Sequence, residues 1–388
     1  MILATSNHGG TARRPDESPV TDSGAPMFHS LTGLRFVLAA WIAYFHVGLM
    51  FDSTGFGALP LLELGMTRVD VFFVLSGFVL AHVYWAREGA KFRFADFVVA
   101  RISRLYPLFL LSLALIGAYL VAGAAIGQGV EPGRYSIRDL VANLFMLQSF
   151  GLTSGGDWNF PAWAISAEFA GYFAFPLFLL VAAKLRSRPL VFLGLAIAML
   201  SAADLLHRGL TGSGLNTATQ DWGALRGAMV MFVGVAARAA FDHFRVAIPV
   251  AGLVALAGAL FAVFAAIQGL GVPFVAVGAV GFILGLARID AAGGRTPLGA
   301  PVMRRLGAWS YAIFILHAPA FVILAKGLEV VGVEFTVNAW TAALLVAALT
   351  IPAALVHHLV EEPSRKAIRN AWKRRLRRSD VPTVAAAT

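Results

Sequence analysis

Long apolar stretches alternate with short polar segments along most of the chain. A helix that crosses a bilayer needs about 20 mostly apolar residues. Stretches of that kind predict ten membrane-spanning helices, at 31–51, 66–85, 105–126, 163–183, 189–206, 224–240, 247–267, 272–288, 308–325 and 339–360. The apolar run at 140–150 is too short to span, so it predicts an interfacial or re-entrant helix.

The composition fits a membrane domain. Hydrophobic residues make up 59% of the 388-residue chain and charged residues 13%, whereas a soluble domain is roughly half apolar and about a quarter charged. We find no internal repeat and no long linker, which predicts one all-α integral membrane domain over 28–363. Residues 1–27 are polar and lack a signal-peptide core, so we expect a disordered cytoplasmic tail. Residues 364–388 form a basic cytoplasmic tail in this prediction.

Lysine and arginine are distributed unevenly between alternate loops. With the N-terminus inside, the predicted inner loops and the C-terminal tail carry 22 of these residues and the outer loops 4. Positive residues collect on the cytoplasmic side, so this pattern predicts that both termini are cytoplasmic. It also accounts for most of the net charge of +10, and we expect no nucleic-acid partner. The run 365–378 suits either an amphipathic segment on anionic lipid or a plain topology anchor.

Ionisable side chains inside the spans are the candidates for function, because they are costly in lipid and usually face a bundle interior or a water-filled cavity. Arg35 and His46 lie in the first span on nearly the same helix face, roughly 16 Å apart along the axis. The topology places Arg35 near the inner surface and His46 in the outer half. The structural alternatives are a snorkelling arginine and a histidine bonded for packing.

Two carboxylates are predicted in the outer half of the membrane. Asp70 lies at the depth of His46, where a carboxylate would orient the imidazole and raise its basicity. The alternatives for Asp70 are a pair with Arg68 or a helix cap. Glu168 is a functional candidate because it is a lone carboxylate in an apolar span. Its alternative is a structural pair with Arg226.

Two further sites complete the candidates. Arg101 and Arg104 lie three residues apart in "ARISRLYPLF", on one helix face, where two guanidiniums suit bidentate phosphate binding. The alternative is ordinary positive-inside charge. His317 is placed near mid-membrane, and its alternative is a packing histidine beside Pro319.

The candidates form two levels across the membrane. The three arginines gather at the cytoplasmic level, His46, Asp70 and Glu168 at the outer level, and His317 between them. This layout suits a cytosolic phosphorylated ligand whose reactive end meets a histidine base. The chain has no cysteine, which excludes a thiolate metal site and a cysteine-bound intermediate. We therefore expect no metal and direct attack of the acceptor on the donor.

Six segments resemble the acyltransferase family 3 membrane proteins over residues 30–368. They are, in order, GLRFVLAAWIAYFH, RVDVFFVLSGFVL, RISRLYP, WAISAEF, SYAIFILH and VEEPSRK. The resemblance implies an O-acyltransferase of the bacterial inner membrane. Such an enzyme moves an acyl group, often acetyl, from cytosolic acyl-CoA to a hydroxyl of a cell-surface or lipid-linked carbohydrate.

The resemblance also implies roles for the candidates. The histidine of the first span would be the general base, and the arginines would line the acyl-CoA site. The predicted set assigns catalysis to His46, Asp70 and Glu168 and acyl-CoA binding to Arg35, Arg101, Arg104 and His317. We expect no permanently bound cofactor, with acyl-CoA as donor substrate. A transporter or flippase of a glycan or glycolipid is the alternative, because intramembrane Arg, His and Glu also mark transport pathways.

Overall fold

The computed structural model describes residues 27–51, 67–85, 92–128, 134–153 and 157–379. In these ranges ten helices are long and apolar enough to cross a membrane, which confirms the predicted fold class. Of the predicted tails at 1–27 and 364–388, residues 1–26 and 380–388 lie outside the described residues. The helices are α1 (His29–Met50), α2 (Thr67–Trp85), α3 (Phe94–Ala125), α4 (Ile137–Leu144), α5 (Trp163–Lys184), α6 (Pro189–Thr211), α7 (Gly223–Phe241), α8 (Ile248–Ile267), α9 (Val272–Ala291), α10 (Pro301–Ala308), α11 (Ser310–Val330), α12 (Ala339–Val356) and α13 (Glu362–Ser379).

Helix α1 lies at the centre of the bundle and packs against α2, α9, α10, α11 and α12. Its first turn is fixed from the end of α9, because Asp290 accepts hydrogen bonds from the Ser30 amide at 2.8 Å and the Ser30 hydroxyl at 2.7 Å. A carboxylate at this position satisfies an unpaired amide and suits the helix dipole. Gly33 and Gly307 allow backbone contact, since a Cβ at either position would collide with a carbonyl of Leu298 or Thr32. The depth of every side chain on α1 is thereby set.

Small residues bring other helices together. A Cβ at Gly278 would lie 2.5 Å from the Ala262 nitrogen, and one at Gly285 would lie 2.5 Å from the Ala251 oxygen. Helices α8 and α9 therefore touch along their backbones. Close packing of this kind associates helices in lipid, where apolar burial alone provides no driving force.

A buried ion pair joins α2 to α7. Arg226 donates from Nε and Nη2 to the two carboxylate oxygens of Asp70, at 2.8 and 2.9 Å, and both side chains are fully buried. The remaining Nη1 donates to the carbonyls of Asn216 and Ala218 at 2.7 and 2.9 Å. Because each partner is satisfied, this pair holds the turn at 215–218 against two spanning helices.

The short run after α3 and the C-terminal segment are helical. Helix α4, at 137–144, begins at Ser136, whose hydroxyl accepts from the Asp139 amide at 3.0 Å. Helix α12 passes through a π-helical turn at His357–Glu361 into α13. There Trp372 Nε1 donates to Asp96 at 2.7 Å, and α13 packs against the first part of α3. The basic run 365–378 therefore packs against α3 of the same chain, and it also carries exposed charges.

Candidate active site

Two histidines from different helices meet inside the bundle. His46 on α1 is 9% exposed and His317 on α11 is fully buried. His46 Nδ1 lies 2.8 Å from His317 Nε2, and the rings are nearly parallel with centroids 4.9 Å apart. Phe160 presents its edge to the other side of the His46 ring at 4.9 Å. The pair is therefore enclosed by aromatic surface.

The backbone fixes which ring nitrogen carries each proton when both rings are neutral. His317 Nδ1 lies 2.5 Å from the carbonyl oxygen of Phe314, which can only accept, so Nδ1 is protonated. Nε2 of His317 then has a free lone pair and accepts from Nδ1–H of His46. His46 is left with an unprotonated Nε2. That nitrogen is the one a general base needs.

A second group of polar side chains lines a cavity of about 150 Å³, the arginine cavity. Arg35 comes from α1, Arg101 and Arg104 from α3, and Glu168 and Tyr172 from α5. Among the described residues, none of the three guanidiniums makes a hydrogen bond or a salt bridge to another residue. Three positive charges face one carboxylate, so the cavity is suited to an anion.

Glu168 lies beside the arginines, whereas we expected it at the outer level with His46. The Ser76 hydroxyl donates to its carboxylate at 2.7 Å, and Tyr172, one helical turn later, lines the same cavity. The structural alternative for Glu168 was a pair with Arg226, but Arg226 pairs with Asp70 instead. The sequence identified Glu168 as a lone carboxylate in an apolar span, but it did not identify the helix opposite.

The structure contradicts the expected contact between Asp70 and His46. Asp70 is bound on both oxygens by Arg226, and Arg68, the other expected partner, stacks on Trp41 at 3.8 Å. His317 takes the place beside His46 instead, although we expected it among the acyl-CoA contacts. The expected contact of Asp70 with His46 rested on depth alone, which does not determine which helices are neighbours, and the acyl-CoA assignment of His317 came from the family resemblance.

A smaller cavity of about 30 Å³, the throat, adjoins the arginine cavity. It shares Phe72, Glu168, Ser310 and Tyr311 with the arginine cavity. Its remaining lining residues are Ile42, Val69, Ala164, Ile165 and Phe314. Ile42 lies one turn before His46 on α1, and the Phe314 ring lies 5.8 Å from that of His317. The throat therefore extends from the arginine cavity towards residues that neighbour the histidine pair.

Another cavity, of about 940 Å³, lies beside the last turn of α1 beyond His46 and is called the distal cavity. Phe160, which touches His46, is part of its wall. Aromatic rings of Tyr119 and Tyr135 and the ion pair of Lys326 with Glu329, at 2.5 Å, also line it. Aromatic and paired charged groups in one cavity suit a polar ligand with flat apolar faces.

Two other polar side chains of the site region donate hydrogen bonds inside the protein. Trp158 donates to the Ser136 carbonyl at 2.9 Å, and Asn159 donates to Ser112 and to the Ile315 carbonyl at 2.9 and 3.0 Å.

Sequence reasoning missed Phe160 and Tyr172. Tyr172 was detectable, because it lies four residues after Glu168 on the same face; Phe160 lies in a 3₁₀ segment with no periodicity to place it.

A separate cluster at the π-helical turn has the donor types of a metal site. Ligand atoms of His357, His358 and Glu362 lie within 4.8 Å of one another. His357 Nδ1 donates to the Glu361 carboxylate at 2.8 Å, and Lys366 Nζ lies 2.7 Å from the Glu362 carboxylate. The lysine neutralises Glu362, so the cluster is balanced by protein groups alone.

The chain matches known acyltransferases along most of its length. The family model for the acyltransferase 3 domain matches residues 28–359. "Acyltransferase MdmB" of Streptomyces mycarofaciens is 28% identical over 364 residues, covering 86% of this chain and 90% of that protein. "Peptidoglycan O-acetyltransferase OatA" of Listeria monocytogenes is 25% identical over 371 residues, covering 87% of this chain and 56% of OatA.

"Protein 2 in picA locus" of Rhizobium radiobacter is 33% identical over 162 residues, covering 38% of this chain and 81% of that protein. No solved structure matches the chain.

Proposed function

The chain belongs to the acyltransferase 3 family and is a multi-pass membrane O-acyltransferase, and we propose that its donor is acyl-CoA and its acceptor a carbohydrate hydroxyl. Two observations carry the proposal: a cavity with three arginines that have no salt bridge among the described residues, and a buried histidine whose Nε2 is unprotonated. The acceptor belongs to the cell surface or to a lipid-linked glycan, and the membrane is the bacterial inner membrane.

The arginine cavity is the site proposed for the phosphates of acyl-CoA. Guanidiniums form short, charge-assisted, bidentate hydrogen bonds with phosphate oxygens. The distribution of lysine and arginine between loops supports a cytoplasmic position for this end of the bundle. The thioester then extends through the throat towards His46, and no group has to cross the lipid.

The histidine pair supports direct transfer. Nε2 of His46 takes the proton of the acceptor hydroxyl as its oxygen attacks the thioester carbonyl carbon. The tetrahedral intermediate collapses, the carbon–sulfur bond breaks, and the CoA thiolate leaves and takes up the proton from His46. The products are the acyl ester and CoA, and no acyl-enzyme forms. A positioned general base contributes about 10²–10⁴-fold to such a step.

The distal cavity is the site proposed for the acceptor. Its volume of about 940 Å³ falls in the range of about 300–1,000 Å³ that ligand sites usually have. Its tyrosines offer faces to sugar rings and hydroxyls to their polar edges. The name of OatA, a peptidoglycan O-acetyltransferase, supports a glycan acceptor.

The function is tested by mass spectrometry of envelope glycans and glycolipids from a strain that lacks the gene. We expect an acyl ester to disappear on deletion, to return with the wild-type gene, and to stay absent with His46→Ala. His243→Ala, a change of an exposed histidine, is the matched control and should restore the ester. Changed glycan amounts with no change in any ester would contradict the transferase and favour transport.

Donor binding is tested by thermal unfolding of the purified protein in detergent. Acetyl-CoA should raise the melting temperature of the wild type and of Arg245→Gln, which changes an exposed arginine. The Arg101→Gln/Arg104→Gln protein should gain much less. Pantetheine, which has no phosphate groups, should protect no variant. Equal protection by acetyl-CoA in all three proteins would refute phosphate binding at the arginine cavity.

A further inference from the structure

Helix α11 carries a proline in the turn that contains His317. In an α-helix, the carbonyl of each residue accepts a hydrogen bond from the amide four residues later. For Ile315 that residue is Pro319, which lies inside α11 and has no N–H. Ile315 is fully buried, where an unpaired carbonyl is costly. The turn 315–319, with His317 at its centre, therefore lacks its regular backbone hydrogen bond.

Asn159 supplies a donor to this turn from outside the helix. Its Nδ2 lies 3.0 Å from the Ile315 carbonyl oxygen and 2.9 Å from Ser112 Oγ on α3, and the side chain is 3% exposed. The Ser112 hydroxyl donates its own proton to the Phe109 carbonyl at 2.7 Å. Both neighbours of the Asn159 amide are therefore acceptors, which fixes its orientation, because only the NH₂ group can satisfy them.

The segment that contains Asn159 also contacts the other histidine of the pair. Phe160 follows Asn159 directly, and its ring presents its edge to His46 with centroids 4.9 Å apart. His317, in the turn that Asn159 satisfies, accepts from His46 Nδ1 at 2.8 Å. The strength of that hydrogen bond depends on the relative position of the two rings. Asn159 thus connects the aromatic wall of His46 with the helix turn of His317 and joins both to α3.

We infer that Asn159 is a positioning residue of the transferase, which holds His317 against His46 by donating to the carbonyl that has no amide partner at Pro319. The inference rests on the proposed function, in which His46 is the base. Misplacement of a catalytic group by about 1 Å can cost about 100-fold in rate. We therefore expect loss of the Asn159 amide to lower kcat about 10- to 100-fold. The KM for acyl-CoA should stay near the wild-type value, since no residue of this network lines the arginine cavity.

The experiment restores the missing amide from inside the helix. Asn159→Leu has a similar volume but no donor and should show the loss in kcat; Asn159→Ala is a second variant with the same expectation. Pro319→Ala returns an N–H at the position that the Ile315 carbonyl needs, so Asn159→Leu/Pro319→Ala should recover most of the lost kcat. Ester formation is measured against acyl-CoA concentration with monodisperse protein in detergent. Pro319→Ala alone is the reference, and its effect on kcat should be much smaller than the recovery.

Two matched controls test whether the recovery is specific. Asn143 is 1% exposed and donates to the Asp139 carbonyl at 2.8 Å within α4, so Asn143→Leu removes a buried amide of the same kind from another helix. Pro319→Ala should not recover any loss that Asn143→Leu causes. Pro352 lies inside α12, and Pro352→Ala should not recover Asn159→Leu. Recovery in either control would show a general gain in helix stability and would overturn the inference.

A second readout reports on the histidine pair without turnover. Nuclear magnetic resonance spectra of protein with isotope-labelled histidine separate protonated from unprotonated ring nitrogens, and His46→Ala and His317→Phe identify the two sets of signals. Asn159→Leu should change the signals of both rings, and Pro319→Ala should return them to their wild-type positions.

The outcomes separate the two claims. If the wild type forms no ester from any acyl-CoA, the proposed function fails, and the histidine spectra still decide whether Asn159 positions the pair. The inference is overturned if Asn159→Leu leaves kcat and the spectra at their wild-type values, or if it raises the KM for acyl-CoA with unchanged kcat. It is also overturned if Pro319→Ala recovers nothing.

Discussion

His317→Phe removes the hydrogen-bond acceptor of His46 while it keeps an aromatic ring in a fully buried site. In the wild type, Nδ1–H of His46 donates to His317 Nε2, 2.8 Å away. Without that acceptor, the buried proton on Nδ1 is unsatisfied, and the tautomer with a free Nε2 loses its advantage. We expect kcat to fall while the KM for acyl-CoA stays near the wild-type value, because the substitution lies away from the arginine cavity.

The structure sets the size of the effect. An unsatisfied buried hydrogen-bonding group costs about 1–3 kcal/mol, which corresponds to roughly a 5- to 150-fold loss in kcat. His46→Ala removes the base itself and should cost about 10²–10⁴-fold. His317→Phe should therefore be the milder of the two. Added to His46→Ala, it should cause little further loss, since His317 acts through His46.

Steady-state rates of ester formation, measured against acyl-CoA concentration, test this reasoning. His317→Gln offers an amide oxygen in place of Nε2 and should recover part of the lost kcat. A raised KM for acyl-CoA with unchanged kcat would refute the positioning role and return His317 to the acyl-CoA contacts. A double variant much slower than His46→Ala would show that the two histidines act independently.

Two more perturbations test the rest of the site. Arg101→Gln and Arg104→Gln should each raise the KM for acyl-CoA about tenfold or more, because a hydrogen bond to a charged group is worth about 1.5–3 kcal/mol. An unchanged KM for both variants in steady-state kinetics would contradict the phosphate role. Asp70→Asn should lower the free energy of unfolding by about 3–5 kcal/mol, since it leaves the Arg226 charge buried and unpaired. Asp70→Leu combined with Arg226→Met should recover most of that lost stability in thermal unfolding. A folded, stable Asp70→Asn protein with greatly reduced kcat would instead support the catalytic role expected from the sequence.

The sequence was sufficient for what depends on one helix at a time. Apolar length located the ten spans, and the helix period placed Arg35 and His46 on one face of α1. It was insufficient for contacts between helices, because the depth of a side chain in the membrane limits its possible partners but does not determine which one it contacts. Asp70 and His317 show this limit: both lie near the depth of His46, yet only His317 contacts it, while Asp70 faces α7.

In the described part of the chain, buried arginines differ in whether they have a carboxylate partner. This difference argues for a ligand at the arginine cavity. Arg226 and Arg238 are buried within the bundle, and each has a carboxylate partner, Asp70 at 2.8 Å and Asp242 at 3.0 Å. In these two cases a carboxylate neutralises a buried guanidinium. A charged residue at the membrane centre costs about 2.5–3.5 kcal/mol even on insertion scales. The cavity keeps three guanidiniums with one nearby carboxylate and no salt bridge among the described residues. A site that binds a polyanionic donor has to keep such charges available, and a structural bundle does not.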